Sequence, residues 1–112
     1  MLPKKHRLPR EKFNEIFKKG RRIRERYFNL LFLKREDNNP SQVGIVVNKK
    51  SFPQAIDRNK IKRQIRNIII QDILSCLPTG LDIIILVYPI REKIKFLELK
   101  RDLVGIFNMV MR

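Results

Sequence analysis

The chain has no tryptophan, one histidine, one cysteine and four glycines, and only 11 carboxylates among its 112 residues. Each shortage closes off a class of protein. A lone cysteine, Cys76, cannot build an internal disulfide framework and suits a reducing compartment, so a cytoplasmic location is expected. A lone histidine, His6, cannot supply the paired general acid and base of a metal-free nuclease. The carboxylates are scattered, and only Glu36 and Asp37 adjoin, within a turn-forming segment. No converging acidic set is therefore evident to hold a catalytic Mg²⁺, and no catalytic or metal-binding residue is assigned. The glycines fall in no Walker-type or dinucleotide-type spacing. No apolar run approaches membrane-spanning length, the longest, around residues 83–87, being strand-sized. The basic N-terminus has no apolar segment behind it and does not read as a secretory signal. Neither a membrane nor a small-molecule substrate is an expected partner.

What the chain has in abundance is positive charge. Lysine and arginine number 26, giving a formal net charge of +15. Self-repulsion on that scale costs stability, and its usual use is attraction to polyanions, above all nucleic acid. A hydrophobic fraction of 43% nevertheless supports a folded core. The length fits one domain over residues 1–112, with residues 1–7 expected as a flexible basic tail.

Periodicity lays out the elements. A first helix begins near Pro9, carries Phe13, Ile16 and Phe17 at i, i+3, i+4 spacing, and stops at Gly20. Two phenylalanines one turn apart are usually core, and they also suit stacking on unpaired bases if their face looks onto a groove. A short strand around Ile23 precedes a strand over Tyr27–Leu33, in which Phe28, Leu30 and Phe32 point one way and Asn29, Leu31 and Leu33 the other. A turn follows over 36–41. Val43–Val47 is β-branched and apolar, which suits a central strand. A long amphipathic helix is expected to run to Leu77, ahead of Pro78-Thr79-Gly80. A buried strand follows over Asp82–Val87, closed by Tyr88-Pro89, and an amphipathic helix over Phe96–Met111. The order is α-β-β-β-α-β-α: an α+β two-layer sandwich with one central sheet packed against helices.

The long helix opens with the most charged stretch of the chain. Asp57 to Arg66 holds five basic side chains in ten residues, with Asp57 as the expected N-cap. At about 100° per residue, Arg58, Lys62 and Arg66 stack one above the next, with Asn59 and Arg63 beside them. Ile61, Ile65, Ile68, Ile69 and Cys76 fall on a neighbouring arc, so Cys76 is expected as a buried thiol. Positive charge at a helix N-terminus opposes the macrodipole. Folding gains nothing from that placement, and an anionic partner is implied. Strands on both sides of the helix argue against a helix-turn-helix DNA reader. A cationic helix beside a sheet suits RNA backbone and unpaired bases better. A small RNA-binding protein of the ribosome or an RNA chaperone fits the composition equally well.

The residues then become specific. Val43-Gly44-Ile45-Val46-Val47-Asn48-Lys49-Lys50, a short loop, and Ala55-Ile56-Asp57-Arg58-Asn59-Lys60-Ile61-Lys62-Arg63-Gln64-Ile65-Arg66 resemble the protein subunit of bacterial ribonuclease P. Arg7-Leu8, Phe13, Ile16, Phe17 and Lys18 through Gly20 extend the likeness, as does the strand from Asp82. The resemblance implies a left-handed β-α-β crossover. It also implies a catalytic RNA partner that, with Mg²⁺ bound mainly by the RNA, removes the 5′ leader from precursor tRNA. Arg58, Asn59, Lys60, Lys62, Arg63 and Arg66, with Lys49 and Lys50, would contact that RNA. Phe13, Phe17, Asn29 and Leu31 would line the cleft for the single-stranded leader of precursor tRNA. Two departures stand out: the loop from Ser51 to Gln54 lacks the usual glycine and is one residue longer, and Leu31 takes a position often aromatic in the family.

Overall fold

The computed structural model describes residues 2–50, 52–87 and 96–110. A four-stranded mixed sheet is built from β1 (Arg21–Arg24), β2 (Phe28–Lys34), β3 (Gln42–Val47) and β4 (Leu81–Val87). Three helices pack on it: α1 (Phe13–Lys19), α2 (Ala55–Ile68) and α3 (Phe96–Val110). The α-β-β-β-α-β-α order read from periodicity is the order observed. The Tyr88-Pro89 end of the last strand lies outside the described residues.

Across the sheet the strands run β1-β2-β4-β3. Pairing is antiparallel for β1–β2 and β2–β4, and parallel for β3–β4, as the crossover through α2 requires. The alternation expected in β2 holds. Phe28 and Leu30 join Ile83, Ile85, Val43 and Val47 in a large core shared with α2 and α3. Leu31 and Ile84 face the other way, under Ile16 of α1 and Leu8. The sheet therefore carries α2 and α3 on one face and the single short α1 on the other.

Four sequence expectations need correction. First, β3 lies at an edge, and β2 and β4 are the inner strands. Its apolar composition serves two buried faces, while the N-terminal segment shields its free edge: Arg7 bridges Val43, and the Leu8 N–H donates to the Val43 carbonyl at 3.2 Å. Second, that shielding means residues 2–7 are no free tail. Leu2 is buried, His6 Nδ1 donates to the Ser41 carbonyl at 2.8 Å, and Arg7 Nε donates to the Leu2 carbonyl at 2.7 Å. Third, α2 begins one turn earlier than a cap at Asp57 implies, with Gln54 at the N-cap and Asp57 inside the first turn. The extended loop before it can continue into helix at Ala55 without a side-chain cap.

The fourth correction concerns the end of that helix. At Ile68 the α-helix passes into a π turn, Ile69–Ile73, in which the Leu74 N–H donates to the Ile69 carbonyl at 2.9 Å. A π turn absorbs one extra residue and rotates everything after it. Ile73 and Leu77, not Asp72 and Cys76, thus follow Ile65 and Ile69 toward the core, and Cys76 is exposed. Asp72 instead meets Lys100 of α3 at 3.5 Å.

A polar hub closes one end of the sheet. Asp82, almost wholly buried, pairs with Arg35 and lies 3.7 Å from Lys12. Arg35 also donates to the carbonyls of Asn39, Pro40 and Leu81, so one guanidinium holds the 35–41 turn to the start of β4. Gly80 completes the junction at φ +82°, a conformation that side chains with a Cβ resist.

Candidate nucleic-acid interface

Two surfaces meet at the end of the sheet where β3 and β4 finish. The first is α2. Asn59, Lys60 and Arg63 are exposed, while Arg58, Lys62 and Arg66 flank them half-buried. None of these five cations has a carboxylate partner among the described residues. Arg58 has a structural task as well, since its NH1 donates to the carbonyls of Phe52 and Pro53 at 2.7 and 2.8 Å. That pair of bonds fixes the loop that lacks glycine, with Phe52 buried in the core as its anchor. Lys49 and Lys50 project from the turn at the end of β3. The turn is shaped by Asn48, whose Oδ1 accepts from the Lys50 N–H at 2.9 Å and whose carbonyl accepts from the Phe52 N–H at 2.9 Å. Sequence reasoning passed over Asn48, although asparagine at a strand end is a recognised turn former.

The second surface is the groove beside α1. On this face the sheet presents rows of paired residues. Arg24, Asn29, Leu86 and Val46 lie in register across the four strands, and Arg22, Leu31, Ile84 and Gly44 form the next row. α1 covers the second row. Gly44 permits this, because a Cβ there would stand 2.6 Å from the Phe13 ring. The glycine of the Val-Gly pair is thus what lets the phenylalanine ring approach β3 so closely. Gly20, just past α1, is equally tight, as a Cβ would come within 2.5 Å of the Ile16 carbonyl oxygen.

Phe13, Phe17, Val46 and Leu86 remain half-buried around the groove. Each packs against the cluster of Leu8, Ile16, Leu31 and Ile84, and each keeps part of its surface open. Leu31 itself is 0% exposed, which corrects its expected place in the lining. It supports the groove from beneath and offers no surface of its own. Asn29 is 8% exposed, and its buried Oδ1 has no hydrogen-bond partner. Leaving a buried acceptor unpaired costs free energy that a bound donor, once the carboxamide turns, can recover.

Among the described residues, no group of three or more His, Cys, Asp or Glu side chains could hold a metal ion. No helix among them is long and apolar enough to cross a membrane. A cationic helix beside an apolar groove with open aromatic edges is the build of a protein that holds nucleic acid.

Comparison with known proteins makes this specific. The family model described as Ribonuclease P matches residues 2–111. The ribonuclease P protein component of Pseudanabaena sp. (strain PCC 6903) is 40% identical over 107 residues, covering 95% of this chain and 91% of the relative. The component from Bacillus cereus (strain AH187) is 31% identical, covering 96% and 92%. Among solved structures, the RNase P protein from Thermotoga maritima superposes with a TM-score of 0.77 at 32% identity, covering 89% of this chain and 93% of that one. The Staphylococcus aureus protein reaches 0.80 at 25% identity, covering 94% of each. The chain belongs to the ribonuclease P protein family, as a bacterial protein component.

Proposed function

We propose that this protein binds the catalytic RNA of ribonuclease P through α2 and the Lys49–Lys50 turn, and receives the 5′ leader of precursor tRNA in the groove beside α1. The observation that carries the proposal is the set of α2 cations that have no carboxylate partner among the described residues. Phosphates relieve the mutual repulsion of these side chains, so binding recovers what folding gives up. Each phosphate neutralised also releases counterions, so affinity falls steeply with salt, with a slope near −0.7 to −0.9 per contact.

The groove suits a single strand. Phe13 and Phe17 offer ring surface to unpaired bases, Asn29 offers a carboxamide with an unsatisfied end, and Arg24 stands at one end of the same row. The metal ions that serve cleavage are assigned to the RNA, along with the active site. The protein's own work is electrostatic: screening phosphates so that catalytic RNA and substrate approach at lower Mg²⁺. Its place is the cytoplasm, where precursor tRNA is made.

The test is cleavage of a labelled precursor tRNA at low Mg²⁺ by a bacterial ribonuclease P RNA, with and without the protein, and with protein alone. Cleavage at the mature 5′ end only in the combined reaction is expected. Protein that binds the RNA without changing cleavage would return the reading to a general RNA-binding module. Lys60→Ala with Arg63→Ala removes two exposed cations that have no ion-pair partner among the described residues. Roughly tenfold weaker RNA binding is expected, from two lost charge-assisted contacts, with folding stability unchanged.

A further inference from the structure

The groove and α2 leave one end of the sheet unaccounted for. At the junction of β1, the end of β2, the start of β4 and the end of α3, the surface opens into a cavity of about 510 Å³. That is within the roughly 300–1,000 Å³ of small-ligand sites. Its rim carries Lys19, Arg21 and Lys34, and its apolar lining includes Phe32, Leu81 and Met109. No carboxylate lines it. All three rim cations are exposed, and none makes an ion pair or a side-chain hydrogen bond among the described residues.

Register places this cavity away from the α1 groove. Arg21 pairs with Phe32, and Lys34 pairs with Leu81. Phe32 and Leu81 belong to the core on the α2–α3 side. The cavity therefore lies mainly on the α2–α3 side, with Leu33 joining it from the α1 side at the end of the sheet away from Asn29, Val46 and Leu86. Lys19, at the end of α1, reaches it around the edge.

We infer that this cavity takes one nucleotide of an unpaired RNA strand, its base against Phe32 and Met109 and its phosphate among Lys19, Arg21 and Lys34. Three like charges at one rim repel one another until an anion sits between them. An anion alone would leave the apolar lining unused, since Met109 is 46% exposed and Phe32 only half-buried. A nucleotide satisfies both, because every base has a face that stacks and every unit carries a phosphate. The inference rests on the proposed RNA-binding function for the origin of the strand, but the site is separate from both surfaces invoked there.

The test is a titration of the full chain, followed by ¹⁵N–¹H spectra, with AMP, inorganic phosphate, an oligoglutamate peptide and a 5′-phosphorylated adenosine trimer. AMP is expected to shift the amides of Lys19, Arg21, Phe32, Lys34 and Met109, and the trimer to shift the same set at lower concentration. Arg21→Gln with Lys34→Gln, both exposed positions, should weaken the two nucleotides about tenfold, the loss of two charge-assisted contacts. Lys60→Ala with Arg63→Ala should leave them unchanged. Equal affinity for inorganic phosphate or for the peptide would overturn the nucleotide assignment, and a trimer no tighter than AMP would overturn the strand. Shifts confined to α1 or α2, or full binding by the double variant, would remove the site altogether. None of these readouts involves the catalytic RNA, so the site can fail while the cleavage assay succeeds, and the reverse.

Discussion

The two faces of the sheet are built from the same kinds of residue and do different work. On the α2–α3 side, Phe28, Leu30, Ile83 and Ile85 meet Ile65, Ile69, Leu103 and Phe107, and all eight are fully buried. On the other side a seven-residue helix covers only the middle of the sheet. Leu31, Ile84 and Ile16 are sealed beneath it, while Phe13, Phe17, Val46 and Leu86 keep open edges. The difference is one of coverage, and it divides stability from binding. A face closed by two helices can hold the fold together against a charge of +15, leaving the other free to expose apolar surface that a ligand covers.

Deleting a large side chain from each face separates these roles most sharply. Phe107→Ala empties the centre of the closed core and should cost about 3–5 kcal/mol of stability, read from urea unfolding. A loss under about 1 kcal/mol would mean that α3 contributes little to the core. Phe17→Ala removes a ring that is partly open. Loss of base stacking should weaken precursor tRNA by roughly tenfold, from the ~1–3 kcal/mol of one base–aromatic contact, and spare mature tRNA. Equal loss for both substrates would make Phe17 another core residue and erase the contrast between the faces.

Most of the closed face was legible in the sequence because burial imposes a period. Alternation in β2, the run of isoleucines in β4 and the spacing of α3 each follow from it. The signature from Val43 to Arg66 likewise announced the cationic helix. What the sequence did not show were features set by contacts distant in the chain. The docking of residues 2–7 depends on Ser41 and Val43, some 35 positions away. The edge position of β3 depends on which strand pairs with β2. Gly44 was quoted in the signature, but its reason is the Phe13 ring. Leu31 alternates correctly with its neighbours, yet only the position of α1 decides that it is sealed.

The π turn is the clearest case of a local feature that periodicity hides. An arc drawn at α-helical pitch continues to Cys76, and one inserted residue moves it to the surface. A thiol reagent should therefore label Cys76 in the native protein at nearly the rate of the unfolded chain. Labelling that waits for unfolding would put the thiol back in the core and remove the phase shift.

The smallest expected effect lies in the turn that closes the far end of the sheet. The Asn39 backbone N–H, at 3.0 Å, and then the Arg35 guanidinium hold the Asp37 carboxyl below its ordinary value of 3.8. Because the folded value is the lower one, the carboxylate stabilises the native turn fully above pH 3.8. That contribution is lost as pH falls through the lowered value, where the folded state also takes up the proton. Asp37→Asn keeps an oxygen for the Asn39 N–H and removes only the charge. The difference in Tm between wild type and variant should be small near neutrality, since the pair is open to solvent, and should vanish in acid. Protonation of the other carboxylates lowers both proteins alike, so the difference isolates Asp37. A gap that persists or widens in acid would show that the amide itself strains the turn, and that Arg35 is held by Asp82 and the carbonyls of Asn39 and Pro40 without help from Asp37.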